Sequence, residues 1–100
     1  MSNKKYRISR RADTDLDDIW IYTVHRWSKK KADQYLRLIL NKIEFVATNF
    51  YTGKAVEHNR VKYRVIKIKS HLIYYRRVEN DIIEIVRILH QRMEIPKQLQ

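Results

Sequence analysis

The sequence predicts an α+β layer fold: an N-terminal strand, then an antiparallel helical hairpin packed on a small antiparallel-rich sheet, in the order β-α-α-β-β-β. Three observations carry this. Apolar residues keep helical spacing twice between Leu16 and Phe50. Three runs rich in β-branched and aromatic residues follow between Tyr63 and Leu89. Short polar separators, Lys69-Ser70 and Glu79-Asn80-Asp81, divide those runs into a meander. Helices first and strands afterwards make an α+β layer and not an alternating α/β sheet.

The elements follow in order. Tyr6-Arg7-Ile8-Ser9 alternates like a short strand. Ser9 is placed to cap a helix from about Arg10 to Arg26, and Asp13 and Asp15 near its first turn suit the positive end of the dipole. Leu16, Ile19, Trp20, Thr23, Val24 and Trp27 give that helix one apolar face. Ser28 caps a second, from about Lys29 to Asn49, with Ala32, Tyr35, Leu36, Ile39, Ile43, Val46, Ala47 and Phe50 in helical period. So short a connection makes the pair antiparallel, and Trp20 and Ile39 are expected between hairpin and sheet. Lys29, Lys30 and Lys31 oppose the dipole of the second helix and read as solvated side chains.

Tyr51 to Arg60 reads as the loop joining helices to sheet, with Gly53, the sole glycine, as the position suited to a positive φ. Tyr74 and Tyr75 fall on opposite faces of a strand, so at least one belongs to the core. The last run is apolar on both faces, Ile82, Val86 and Ile88 against Ile83, Ile85 and Leu89. Such a strand lies inside a sheet. One face packs on the hairpin, and the other calls for cover, which hints at a partner.

One hundred residues make one domain spanning positions 1–100. Without cysteine, disulfides and thiolate metal sites are excluded. Residues 1–8 contain no apolar signal segment and no run is long enough to span a bilayer, so the expected compartment is the cytoplasm, without membrane contact. The net charge is +11, with Lys and Arg split eleven and eleven between the halves, while Asp13, Asp15, Asp17 and Asp18 crowd together. A basic body with one acidic patch attracts nucleic acid, a ribosome or an acidic protein.

Chemistry is sparse. His25, His58, His71 and His90 show no metal-ligand spacing, and neither a phosphate-binding glycine loop nor a nucleophile elbow is present. No metal or cofactor is expected. Asp15, Asp17 and Asp18 are too close together for a carboxylate dyad and read as a solvated or partner-facing patch. The credible site is cationic. Metal-free RNA cleavage needs a base, an acid and cations for the phosphate. His90 is the candidate acid or base, and Arg64, Arg76 and Arg92 can grip phosphate, a set that equally suits a basic sheet edge.

Several segments resemble the ParE/RelE toxin superfamily, and its ParE branch most closely. They are Ala12, Asp15-Leu16 and Ile19-Trp20-Ile21-Tyr22-Thr23 in the first helix, and Ala32-Asp33-Gln34-Tyr35 in the second. Gly53, Ile73-Tyr74-Tyr75-Arg76 and Ile85-Val86-Arg87-Ile88-Leu89-His90-Gln91-Arg92-Met93 follow in the order of the family. The resemblance implies a cytoplasmic, growth-inhibiting toxin neutralised by a cognate ParD-like antitoxin. RelE-type members are ribosome-dependent mRNA endoribonucleases that often use a tyrosine near the C-terminus; here none follows Tyr75, and the tail reads Met93-Glu94-Ile95-Pro96. ParE-type members poison DNA gyrase by stabilising its cleaved DNA complex and catalyse nothing themselves. The expectation is therefore a gyrase poison with Arg87, His90, Arg92 and Met93 as target contacts, meeting DNA only through gyrase or the antitoxin complex. The alternatives are a ribonuclease built on His90, Arg64, Arg76 and Arg92, and a basic nucleic-acid-binding module.

Overall fold

The computed structural model describes residues 6–93 and 99. Strand β1 (Tyr6–Ile8) leads into helices α1 (Arg10–Arg26) and α2 (Lys29–Thr48). A 3-10 turn at Phe50–Thr52 then precedes β2 (Lys54–His58), β3 (Val61–Ile68), β4 (His71–Arg77) and β5 (Ile83–His90). Both serines cap as expected: the Ser9 hydroxyl accepts the Ala12 N–H at 3.0 Å and Ser28 the Lys31 N–H at 3.1 Å. Lys29 is exposed at the start of α2 and pairs with Asp33 at 3.1 Å. That contact gives one of the three lysines a local anion.

The strands form one sheet in the order β1-β5-β4-β3-β2, antiparallel except where β1 runs parallel to β5. The fifth strand is a departure from the sequence reading. Lys54–His58, expected as loop, pairs with β3 from Lys54↔Val65 to His58↔Val61. Its composition offers one β-branched residue, Val56, so the ladder to β3 supplies what local propensity lacks. The turn between them places Asn59 and Arg60 at positive φ. Gly53 is not at positive φ; its value is −71°. The position needs glycine for close approach, since a Cβ there would collide with the Tyr75 hydroxyl and lie 2.9 Å from two of its ring carbons. The Gly53 N–H donates to that hydroxyl at 2.9 Å, and the hydroxyl donates to the Phe50 carbonyl at 2.7 Å.

The core lies on both sides of the sheet. Ala12, Leu16, Ile39, Ile43 and Val46 of the hairpin meet Ile68, Ile73, Tyr75, Ile83, Ile85 and Ile88. Tyr63, Tyr74 and Leu89 form a second cluster on the opposite face, joined by Leu99 from the C-terminal end. Tyr74 and Tyr75 are thus both core, one on each face. The faces of β5 differ from the simple alternation. Tyr74 pairs with Arg87 but Tyr75 with Ile85, so Val86 is an extra residue in the ladder. This bulge resets the alternation, putting Ile88 with Ile83 and Ile85 on the hairpin side. Val86 and Leu89 take the other face. Trp20 also departs from expectation. Ile39 sits in the hairpin core, but Trp20 is half-buried outside both clusters, its indole N–H donating to Asp33 at 2.9 Å. It follows Ile19, which does pack on the core, and a step of about 100° round the helix turns it toward α2.

Candidate target and partner surface

The C-terminal end of β5 is organised by a shortage of backbone partners. Strand β1 has three residues and pairs with β5 only as far as Ile8↔Ile85, so among the described residues the edge of β5 beyond that point lacks a neighbouring strand. Buried backbone groups must find other partners. The Ser9 N–H donates to the Ile85 carbonyl at 3.0 Å, and its hydroxyl to the Val86 carbonyl at 2.8 Å. Asp15, one turn into α1, takes the next group: its Oδ2 accepts the Ile88 N–H at 2.9 Å.

The same carboxylate holds Arg87. Nε donates to Oδ2 and Nη2 to Oδ1, each at 2.8 Å, with side-chain exposures of 10% and 11% for arginine and aspartate. The Asp15 carboxylate beside it raises the guanidinium above its ordinary range, despite partial burial. Asp15 is therefore no part of a solvated patch, unlike Asp13, Asp17 and Asp18, which are exposed. Nor does Arg87 present its charge to solvent. It ties the end of β5 to α1.

Beyond this strut, β5 ends in an open groove of about 980 Å³ between the hairpin and the sheet. Tyr22, Trp27 and Met93 stand around it at 66%, 69% and 46% exposure. His71 and His90 line it together, paired in register across β4 and β5, with ring centroids 5.3 Å apart at 80°. His90 Nδ1 accepts the Arg92 N–H at 3.1 Å, and the His90 carbonyl accepts the Met93 N–H at 2.9 Å. Those bonds close the chain into a turn that carries Arg92 and Met93 outward, both exposed. They also place the proton of neutral His90 on Nε2. The Tyr35 hydroxyl lies 2.7 Å from His71 Nδ1 and donates to the Ile68 carbonyl at 3.2 Å. A single hydroxyl proton serves only one of the two at a time, so the tautomer of His71 is coupled to the direction in which Tyr35 donates. Burial, followed by the neighbouring His90 and opposed by Asp15, lowers the His71 pKa to about 4. Burial also raises that of Tyr35.

Residues 6–95 match the family described as the ParE toxin of type II toxin–antitoxin system, parDE. This chain belongs to the ParE toxin family. It is 36% identical over 97 residues to Toxin ParE1 of Mycobacterium tuberculosis (strain H37Rv), covering 97% of this chain and 99% of that one. It is 42% identical over 90 residues to Toxin ParE1 of Caulobacter vibrioides, covering 90% and 92%. A solved structure described as the chromosomal ParDE TA system from P. aeruginosa superposes with a TM-score of 0.74 at 22% identity, over 86% of this chain and 94% of that one. That likeness bears on the fold alone.

Within this ParE fold the four residues considered for RNA cleavage do not converge. His71 and Arg76 are five residues apart on β4, so Arg76 lies about 16 Å along the sheet from the His71–His90 pair. Arg76 donates to Glu84 at 3.1 Å, and Glu84 also accepts from Arg7 at 3.2 Å, a charge ladder across three strands. Arg64 stands opposite Tyr75, at the far end from His90. Its guanidinium donates to the Gly53 carbonyl at 2.6 Å and stacks 4.8 Å from the Tyr51 ring. Only His90 and Arg92 share a neighbourhood. Among the described residues no group of three His, Asp or Glu is placed to hold a metal, and no helix is long and apolar enough to cross a membrane.

Of the residues lining the groove only His90 and Met93 belonged to the sequence-derived site; Tyr22, Trp27, Tyr35 and His71 are among those it missed. Tyr35 sits on the apolar period of α2, where it reads as core. The pairing of His71 with His90 depends on the bulge at Val86, and nothing in the local sequence marks that bulge.

Proposed function

We propose that this ParE-family chain is a cytoplasmic toxin that inhibits DNA gyrase by stabilising its cleaved DNA complex, and that a ParD-like antitoxin neutralises it. The observation that carries this reading is the end of β5. There a rigid base, Asp15 with Arg87, presents the exposed pair Arg92 and Met93 beside an open groove. A binding surface of this kind suits a poison, which only has to hold one intermediate of another enzyme better than the next. The separation of Arg64 and Arg76 from His90 counts against a ribonuclease. In this assignment His90, Arg92 and Met93 touch the target, while Arg87 acts from behind by fixing the strand that carries them.

The groove suits the antitoxin. Its rim of Tyr22, Trp27 and Met93 offers aromatic and thioether anchors for the apolar face of an amphipathic segment. Acidic residues on that segment would meet a chain of net charge +11, so the association rate is expected to fall as salt rises.

The deciding experiment runs two assays on wild type and His90→Ala. The wild-type protein is expected to inhibit supercoiling by gyrase and to accumulate linear, protein-linked DNA after detergent and protease. His90→Ala weakens this only modestly, since no proton transfer depends on it. Cleavage of ribosome-bound message by the wild type, lost by about 10²–10⁴-fold in His90→Ala while gyrase is untouched, would establish the ribonuclease instead.

A further inference from the structure

The β2–β3 hairpin has a charge pattern that the fold uses only at Arg64 and the groove only at Lys69. Six of the seven ionised side chains between positions 54 and 69 are cations. Lys54, Arg60, Lys62, Lys67 and Lys69 are all exposed. Ion pairs lie elsewhere, on Arg7, Lys29, Arg76, Arg77 and Arg87 among others. The single acid of the hairpin, Glu57, stands opposite Lys62 in the ladder.

Part of this charge has a structural reading. β2 is the outer strand of the sheet, and lysines on an exposed edge discourage pairing with other chains. That accounts for Lys54 alone. Lys62 and Lys67 lie on β3, which is paired on both sides, and Arg60 and Lys69 lie in the turns at its two ends. Edge protection needs none of them there. The register puts Lys54 opposite Val65, on the same face as Lys67, whereas Lys62 shares the face of Arg64. The hairpin is therefore positive on both faces and at both ends.

We propose that the β2–β3 hairpin binds the phosphodiester backbone of nucleic acid directly, through the face that carries Lys54 and Lys67, with Arg60 and Lys69 in the turns at the two ends of β3 as further phosphate contacts. Eight residues of β3 span about 26 Å, enough to reach across a duplex groove about 12 Å wide, so cations at the two ends of β3 can meet phosphates on both sides of it. Lysine heads on flexible stems meet these phosphates as point charges without base readout. This departs from the expectation that DNA is met only through other proteins. It also stands apart from the gyrase reading, because it is measured on the chain alone.

The test is fluorescence anisotropy of the full chain with a labelled 20-base-pair duplex and with oligo(dT), across a range of salt. Wild type is expected to bind with a dissociation constant of about 10⁻⁶–10⁻⁴ M and a steep salt slope. The triple variant Lys54→Ala, Lys67→Ala, Lys69→Ala is expected to bind at least tenfold more weakly, with a slope shallower by about two to three, on whichever nucleic acid the hairpin serves. The α2 variant Lys29→Ala, Lys30→Ala, Arg37→Ala serves as control and keeps wild-type binding. Thermal unfolding of both variants checks that the fold is retained. Wild-type affinity and slope in the hairpin variant, or an equal loss in the α2 variant, would overturn the proposal. So would poly-glutamate displacing DNA at matched charge, which would point to an acidic protein as the occupant.

Discussion

Asp15 of α1 and Arg87 of β5 form a two-pronged ion pair at 2.8 Å, and the same carboxylate caps the Ile88 N–H. One aspartate thus does the work that two more residues of β1 would do. It completes the edge of β5 and anchors the helical hairpin to the strand that ends at His90. Asp15→Ala strands a mostly buried guanidinium and a backbone donor together. The expected cost is about 3–5 kcal/mol, read as a lower urea midpoint at unchanged slope. Asp15→Leu with Arg87→Met, which removes both charges, is expected to recover the guanidinium's share of it, the Ile88 N–H remaining without its acceptor.

Gly53 packs against Tyr75, and the substitution series there separates two reasons for glycine. Gly53→Ala forces the Tyr75 ring or the loop to move, at about 1–3 kcal/mol. Gly53→Asn is expected to be no better than alanine, because the backbone is at φ −71° and gains nothing from a residue tolerant of positive φ. Denaturant unfolding of both variants measures this. An asparagine variant markedly more stable than the alanine one would contradict it.

His71 makes stability depend on pH in a definite direction. Its pKa is about 4 in the fold against about 6.5 in the unfolded chain. Between those values the unfolded chain binds the proton and the folded one does not, so stability rises with pH there. The contribution is whole above about 6.5, declines as pH falls, and is spent below about 4. The difference in unfolding midpoint between wild type and His71→Gln is expected to follow this window. A difference that stays constant from pH 7 to pH 4 would show that the ring titrates alike in both states.

Trp27 is the most exposed aromatic on the groove rim, so it can be removed at little cost to the fold. Trp27→Ala is expected to change unfolding free energy by less than about 0.5 kcal/mol. If the groove receives an antitoxin segment, the same change weakens that complex by more than about 1 kcal/mol, measured by calorimetry with the purified antitoxin. Unchanged affinity would move the antitoxin off this groove.

Periodicity and capping were enough to place α1 and α2 within a residue of their observed ends, because these signals are local: Ser9 and Ser28 reach a donor three residues ahead. The β-branched runs likewise marked β3, β4 and β5, and the ordered family segments from Ala12 to Met93 pointed to a ParE toxin. Tertiary structure decided the rest. Lys54–His58 became a strand because β3 offered it a ladder. Gly53 serves close packing because the Tyr75 ring arrives from 22 residues away. A bulge at Val86 moved Ile88 to the hairpin face and brought His90 beside His71. Asp15, read as surface, turned out to hold Arg87 across 72 residues of chain. Each of these depends on register and on long-range partners, and the alternation of side chains along a strand specifies neither until the neighbouring strands are in place.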